Sequence, residues 1–209
     1  MNLVANTCMG GFLYQLNNEP FGNPFIWAMT QSKSMIQCIN NFSKINWSNV
    51  KLFRDNTNPI KTRNTYNMEI DGLVTIHYTH YLKDKKCNSP TINGVDVHFN
   101  NIEYYIVEKY FSRCKRMCSA AVKPCFCILC TDMMRYDYTL ENTRQLLEET
   151  ANAPYTKILI TNHASLVEYE NTNTHIFVDD HPLNQGRYDT KWFATQYYKD
   201  IMNIVNHVK

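Results

Sequence analysis

Cys8 is the first residue whose type and setting suit chemistry. It follows a short apolar run, Leu3-Val4-Ala5, and precedes Gly10-Gly11, which let the backbone turn sharply into a helix. A thiol at a helix start sits in positive dipole potential, which favours thiolate. Bare N–H groups at Gly10 and Gly11 are the usual material of an oxyanion hole. A small buried residue at a strand end is the competing reading. The second candidate lies in Val74-Thr75-Ile76-His77-Tyr78-Thr79-His80-Tyr81. Alternate strand residues share a face, so Val74, Ile76, Tyr78 and His80 form the more apolar row, with His80 at its carboxyl end, where a base could emerge. His77 falls on the more polar row. The third is Lys109, Arg113 and Arg116, spaced four and three apart so that one helical stripe holds all three cations. Such a stripe suits a phosphate or carboxylate, and it equally suits a solvated face.

Two further groups invite a site and are weighed against it. Cys114, Cys118, Cys125, Cys127 and Cys130 contain a C-x-x-C gap. Phe126, Ile128 and Leu129 interleave that gap as a core strand, whereas structural zinc knuckles use polar turns, so no metal and no cofactor is assigned. Asp179-Asp180-His181 is similar to the last block of serine esterases of the SGNH type. It lacks that block's two-residue spacing, and the chain lacks the opening Gly-Asp-Ser, so we assign it no role.

The elements that must position these residues follow from apolar periodicity. Helices are expected around Phe12 to Leu16, Ser32 to Phe42, Ile102 to Ala121, Leu140 to Thr150 and Lys191 to Val208. Strands are expected at Val50 to Phe53, Cys125 to Thr131, Lys157 to Thr161 and His175 to Val178. Asp71-Gly72 suits a type I′ turn and sets an antiparallel hairpin near residues 64–82. Strands alternating with helices of ten or more residues imply an α/β layered fold with a largely parallel central sheet and helices on both faces. No repeat or linker divides the chain, so residues 1–209 read as one α/β domain.

Composition bounds the rest. The 209 residues are 44% hydrophobic, 13% aromatic and 19% charged, which excludes disorder, collagen and coiled coil. The formal net charge of +2 comes from 21 basic and 19 acidic side chains. Such near balance lacks the concentrated positive face of a nucleic-acid binder. No window approaches a membrane span and no signal peptide is visible, so a cytoplasmic location and eight reduced thiols are expected. Nothing in the chain sets the oligomeric state.

On these residues the chain resembles the family called domain of unknown function nineteen-nineteen, exopolysaccharide biosynthesis proteins. Asn6-Thr7-Cys8-Met9-Gly10-Gly11 is similar to that family's Asn-Asn-Cys-Trp-Gly-Gly start. Pro20-Phe21 and Asn23-Pro24-Phe25 resemble its Ser-Pro-Phe segment, and Ile76 to Tyr81 its strand ending in His-Tyr, which falls on His80. Lys109-Tyr110, Arg113 and Arg116 are similar to its Lys-Trp-x-x-Arg-x-x-Arg helix, and Pro154 to Asn162 to its late strand ending in Thr-Asn. The likeness spans roughly residues 1 to 180 in the same order. Met9 and Tyr110 stand where the family has Trp, and the insert from 83 to 100 is long. A weaker likeness links the chain to papain-like cysteine peptidases.

The resemblance implies an α/β fold and a role in surface-glycan synthesis, with a glycan or glycan precursor as substrate. Three readings stand. In the first, Cys8 is the nucleophile of an acyl-transfer or hydrolytic enzyme, His80 its base and Asp132 the group orienting the His. Gly10, Gly11, Lys109, Arg113 and Arg116 then bind substrate. In the second, a glycosyltransferase-like protein holds a sugar nucleotide on the basic stripe and Cys8 only packs. The third is a binding or assembly protein without catalysis.

Overall fold

The computed structural model describes residues 3–20, 22–26, 28–54, 66–78, 91–92, 95–96, 112–117, 123–130, 137–179 and 190–207. A four-stranded all-parallel sheet is built from β1 (Leu3–Ala5), β8 (Cys125–Cys130), β9 (Thr156–Thr161) and β10 (Thr174–Val178), in that spatial order. A second sheet, antiparallel, is ordered β2-β5-β4-β3, from β2 (Met29–Thr30), β3 (Val50–Arg54), β4 (Tyr66–Ile70) and β5 (Val74–Tyr78). A two-stranded ribbon pairs β6 (Thr91–Ile92) with β7 (Val95–Asp96). The α/β expectation therefore holds.

Strands β1 and β8 read as unbroken apolar runs because both of their faces are covered. In β8, Cys125, Cys127 and Leu129 enter one apolar cluster, while Phe126, Ile128 and Cys130 enter the other. Against the first face pack α1 (Met9–Leu16), α4 (Thr190–Gln196) and α5 (Tyr198–His207). On the second lie α2 (Ser32–Asn41) and α3 (Leu140–Glu149), and the same cluster continues into the antiparallel sheet through Met68, Ile70, Val74 and Ile76. The helix α2 buries Met35, Ile36, Cys38 and Ile39, the three-and-four spacing of a core-facing stripe.

The Asp71-Gly72 hairpin forms as expected. Asp71 and Gly72 have φ of 55° and 70°, and Leu73 N–H donates to the Ile70 carbonyl at 3.1 Å. The single terminal helix expected from Lys191 is instead two, broken at Tyr197. Its hydroxyl donates to Asp179 (2.8 Å) past the end of β10 and its ring packs on Phe177, which pins the chain there. Of the expected helix from Ile102 to Ala121, residues 112–117 are described and helical.

Two polar side chains hold the second face together from within. Lys157 is buried in β9, and its ammonium donates to the carbonyl of Thr150, the residue that closes α3 (3.0 Å). A cation there satisfies an orphan carbonyl and meets the negative helix end. Asp137 accepts both the N–H (3.0 Å) and the hydroxyl (2.6 Å) of Ser32, so a remote carboxylate starts α2.

Candidate functional site

The site is assembled where β1 leaves the sheet. After Ala5 the backbone turns away, and the Asn6 side chain takes over the pairing with β8. Its amide nitrogen donates to the Leu129 carbonyl and its oxygen accepts the Leu129 N–H, both at 2.9 Å. Asn6 also gives its carbonyl to the Thr30 N–H at 3.0 Å, tying β2 to the same corner. The amide thus imitates one more strand residue and frees the main chain to climb into α1. Thr7 is fully buried, and its hydroxyl accepts the Met9 N–H. Cys8 caps the helix that follows.

Cys8 therefore stands at the carboxyl edge of the parallel sheet, the edge at which open α/β sheets bind ligands. It is partly exposed, whereas the other five described cysteines are buried. Burial nonetheless pushes its thiol above the ordinary value, and its backbone N–H draws it only partly back. The thiolate expected from a helix start is overridden by desolvation, so at neutral pH Cys8 rests as a thiol.

Gly10 and Gly11 do not offer bare donors. Gly10 N–H donates to the Thr7 carbonyl (3.3 Å) and Gly11 N–H to that of Cys8 (3.0 Å). What Gly10 supplies is space, since a Cβ there would lie 2.9 Å from the Cβ of Ala5 on β1. Gly10→Ala is expected to push α1 off the sheet and cost about 1–3 kcal/mol. Urea unfolding measures this; a loss below about 0.5 kcal/mol would show that the contact yields freely.

The antiparallel sheet sets the histidine strand. β2 runs toward the carboxyl edge, from Met29 to Thr30 at Asn6 and on to Ser32 at Asp137. β5 pairs antiparallel to it, with Ile76 opposite Thr30 and His77 opposite Met29. Its other anchor agrees, because Thr75 N–H donates to Ser34 in the first turn of α2 (3.2 Å). The described part of β5 thus leads away from the Cys8 corner. Val74 and Ile76 are buried and Thr75 is not, as the alternation predicted. His80, Asp132 and Lys109 lie outside the described residues.

The cationic stripe is split. Arg113 is buried, 1% exposed, and donates to the Ile26 carbonyl at 2.9 Å, while Arg116 is exposed and reaches Ser112. A guanidinium enclosed in this way braces the chain before β2 and does not offer a surface to a sugar nucleotide. The C-x-x-C pair is also divided, because Cys127 and Cys130 enter clusters on opposite faces of β8. Cys130 instead accepts from the Thr143 hydroxyl and donates to the Tyr138 carbonyl.

Other polar residues share this edge; in the sequence, Asn162 and Asp179 enter only as parts of resemblances, and His163 is left unmarked. Asn162 and His163 follow β9, and Asp179 follows β10. The signal was available: each comes directly after an apolar run, in the position that drew attention to Cys8. Strand β9 is two places from β1 in the sheet, about 10 Å by ordinary strand spacing. Among the described residues no helix is long and apolar enough to cross a membrane, and no group of three or more His, Cys, Asp or Glu side chains could hold a metal. In comparisons with known proteins, no family model and no curated protein matches the chain.

Proposed function

We propose that the protein is a thiol-dependent acyl-transfer or hydrolytic enzyme of surface-glycan metabolism, with Cys8 as its nucleophile. One observation carries the reaction class: a partly exposed thiol at the carboxyl edge of a parallel sheet, on a turn built by Asn6, with the other described thiols buried. The glycan substrate class rests on the motif resemblance alone. Because Cys8 rests protonated, it needs a base. The base takes the thiol proton as Sγ attacks the acyl carbon. The leaving group departs with that proton, and water or an acceptor hydroxyl then releases the acyl group and restores the thiol. His163 shares the carboxyl edge with Cys8 and is the base we favour, bridged by a water or by the substrate across the gap between strands. His80 is the alternative.

The experiment uses p-nitrophenyl acetate as a generic acyl donor, with peptide mapping by mass spectrometry. The expected result is a single acetyl group on the peptide carrying Cys8, lost in Cys8→Ala and in Cys8→Ser. The rate at pH 7 should fall about 100-fold or more in His163→Ala and less in His80→Ala. Acetyl spread over several side chains, or acylation indifferent to Cys8→Ala, would remove the thiol mechanism. A larger loss in His80→Ala would make His80 the base instead.

A further inference from the structure

The geometry points to a binding site for a phosphate monoester at the opposite end of the parallel sheet from Cys8. A cleft of about 540 Å³ opens at the amino ends of β8, β9 and β10, closed on one side by the last turn of α5. That volume lies within the usual span of small-molecule sites. Three nitrogen bases face it from three separate elements: Lys123 before β8, His175 on β10 and His207 at the end of α5. Asn173, Asn203 and Thr156 add amide and hydroxyl groups, and no carboxylate lines the cleft among the described residues.

The lining selects for charge. A lysine ammonium, two imidazoles, two amides and a hydroxyl can together donate far more hydrogen bonds than a neutral sugar can accept. An oxyanion with several lone pairs and a full charge matches such a set, and charge-assisted bonds of this kind are the strong ones. His207 is already oriented. Its Nδ1 meets the Asn203 carbonyl, a group that only accepts, so Nδ1 carries the hydrogen and Nε2 is left for a ligand. A divalent metal fits less well, since two imidazoles are too few ligands and the lysine ammonium repels it. The site is independent of the thiol chemistry, because the length of a strand, roughly 17–20 Å, separates the two edges.

The full chain is titrated with inorganic phosphate, glucose 1-phosphate and glucose while the histidine ring signals are followed by NMR. Saturable shifts at His175 and His207 are expected with both phosphates and not with glucose. Tighter binding of glucose 1-phosphate than of inorganic phosphate is expected of a monoester site, and equal binding would overturn the monoester in favour of free phosphate. Lys123→Met combined with His207→Asn should weaken either phosphate about tenfold or more, with His175 still reporting and the backbone spectrum otherwise retained. Cys8→Ala should bind as the unaltered chain does, which separates this site from the proposed enzyme centre. Shifts that never saturate, equal shifts with glucose, or affinity unchanged in the double variant would refute the site.

Discussion

Raising the pH from 8 to 10 is expected to remove about 4 kcal/mol of stability through buried thiols alone. The cause is a set of three thiols deep in the sheet and α2. Burial pushes Cys125 up to about 12 and drives Cys38 and Cys127 well above their ordinary value of 9.0, with the neighbouring Cys125 adding to the shift at Cys127. In the unfolded chain these groups lose their protons through pH 9, whereas in the fold they keep them. The native state then binds more protons, and stability falls as pH rises. The contribution is complete below pH 9 and lost above it, at between about 1 and 2 kcal/mol per thiol by pH 10. Tyr14, raised to about 12 by burial from 10.0, extends the loss beyond pH 10.

Lys157 works in the opposite sense. Burial lowers its pKa from 10.5, so the unfolded state holds the proton more firmly and stability gains as pH rises toward that value. One lysine offsets part of what three thiols lose. Urea unfolding under reducing conditions, at intervals from pH 7.5 to 10.5, measures the balance. Cys38→Val should reduce the slope by about 1 kcal/mol per pH unit between pH 9.5 and 10.5, whatever it does to stability at pH 7.5. A flat profile would mean that these sulfurs are reached by water in the native state.

The second large effect belongs to Asn6. Its side chain is 1% exposed and satisfies both backbone groups of Leu129. Asn6→Leu keeps the volume and leaves a buried N–H and a buried carbonyl unpaired, at about 1–3 kcal/mol each, or about 2–6 kcal/mol together. Asn6→Asp retains one acceptor but sets a carboxylate against the Leu129 carbonyl, so it should cost at least as much near neutrality. The same change loosens the turn holding Cys8, so iodoacetamide should label that thiol faster in Asn6→Leu than in the unaltered chain. A loss under about 1 kcal/mol would mean that β1 can pair with β8 without the amide.

The elements were largely legible because their patterns are local. The run Cys125 to Cys130 reads as a doubly buried strand, and its alternation already separates Cys127 from Cys130. Asp71-Gly72 demands positive φ and obtains it. The candidate site was legible only in its first member. Gly10 was read as a donor because its freedom is visible in sequence, while the Ala5 side chain that requires its smallness is known only once α1 lies on β1. Steps of four and three placed Lys109, Arg113 and Arg116 on one arc, yet an arc has a covered and an open side. The fold puts Arg113 on the covered side, where it reaches the carbonyl of Ile26, 87 positions away.

What the chain determined by itself is therefore its short-range order: which segments are helix or strand, where they turn, and that Cys8 closes a strand and opens a helix. The tertiary structure decided the chemistry those residues can do. It raised the thiol by taking it out of water, occupied the glycine N–H groups, aimed β5 away from Cys8 and enclosed a guanidinium. Periodicity repeats over a few residues and is written locally, whereas desolvation and pairing depend on neighbours that folding alone brings close.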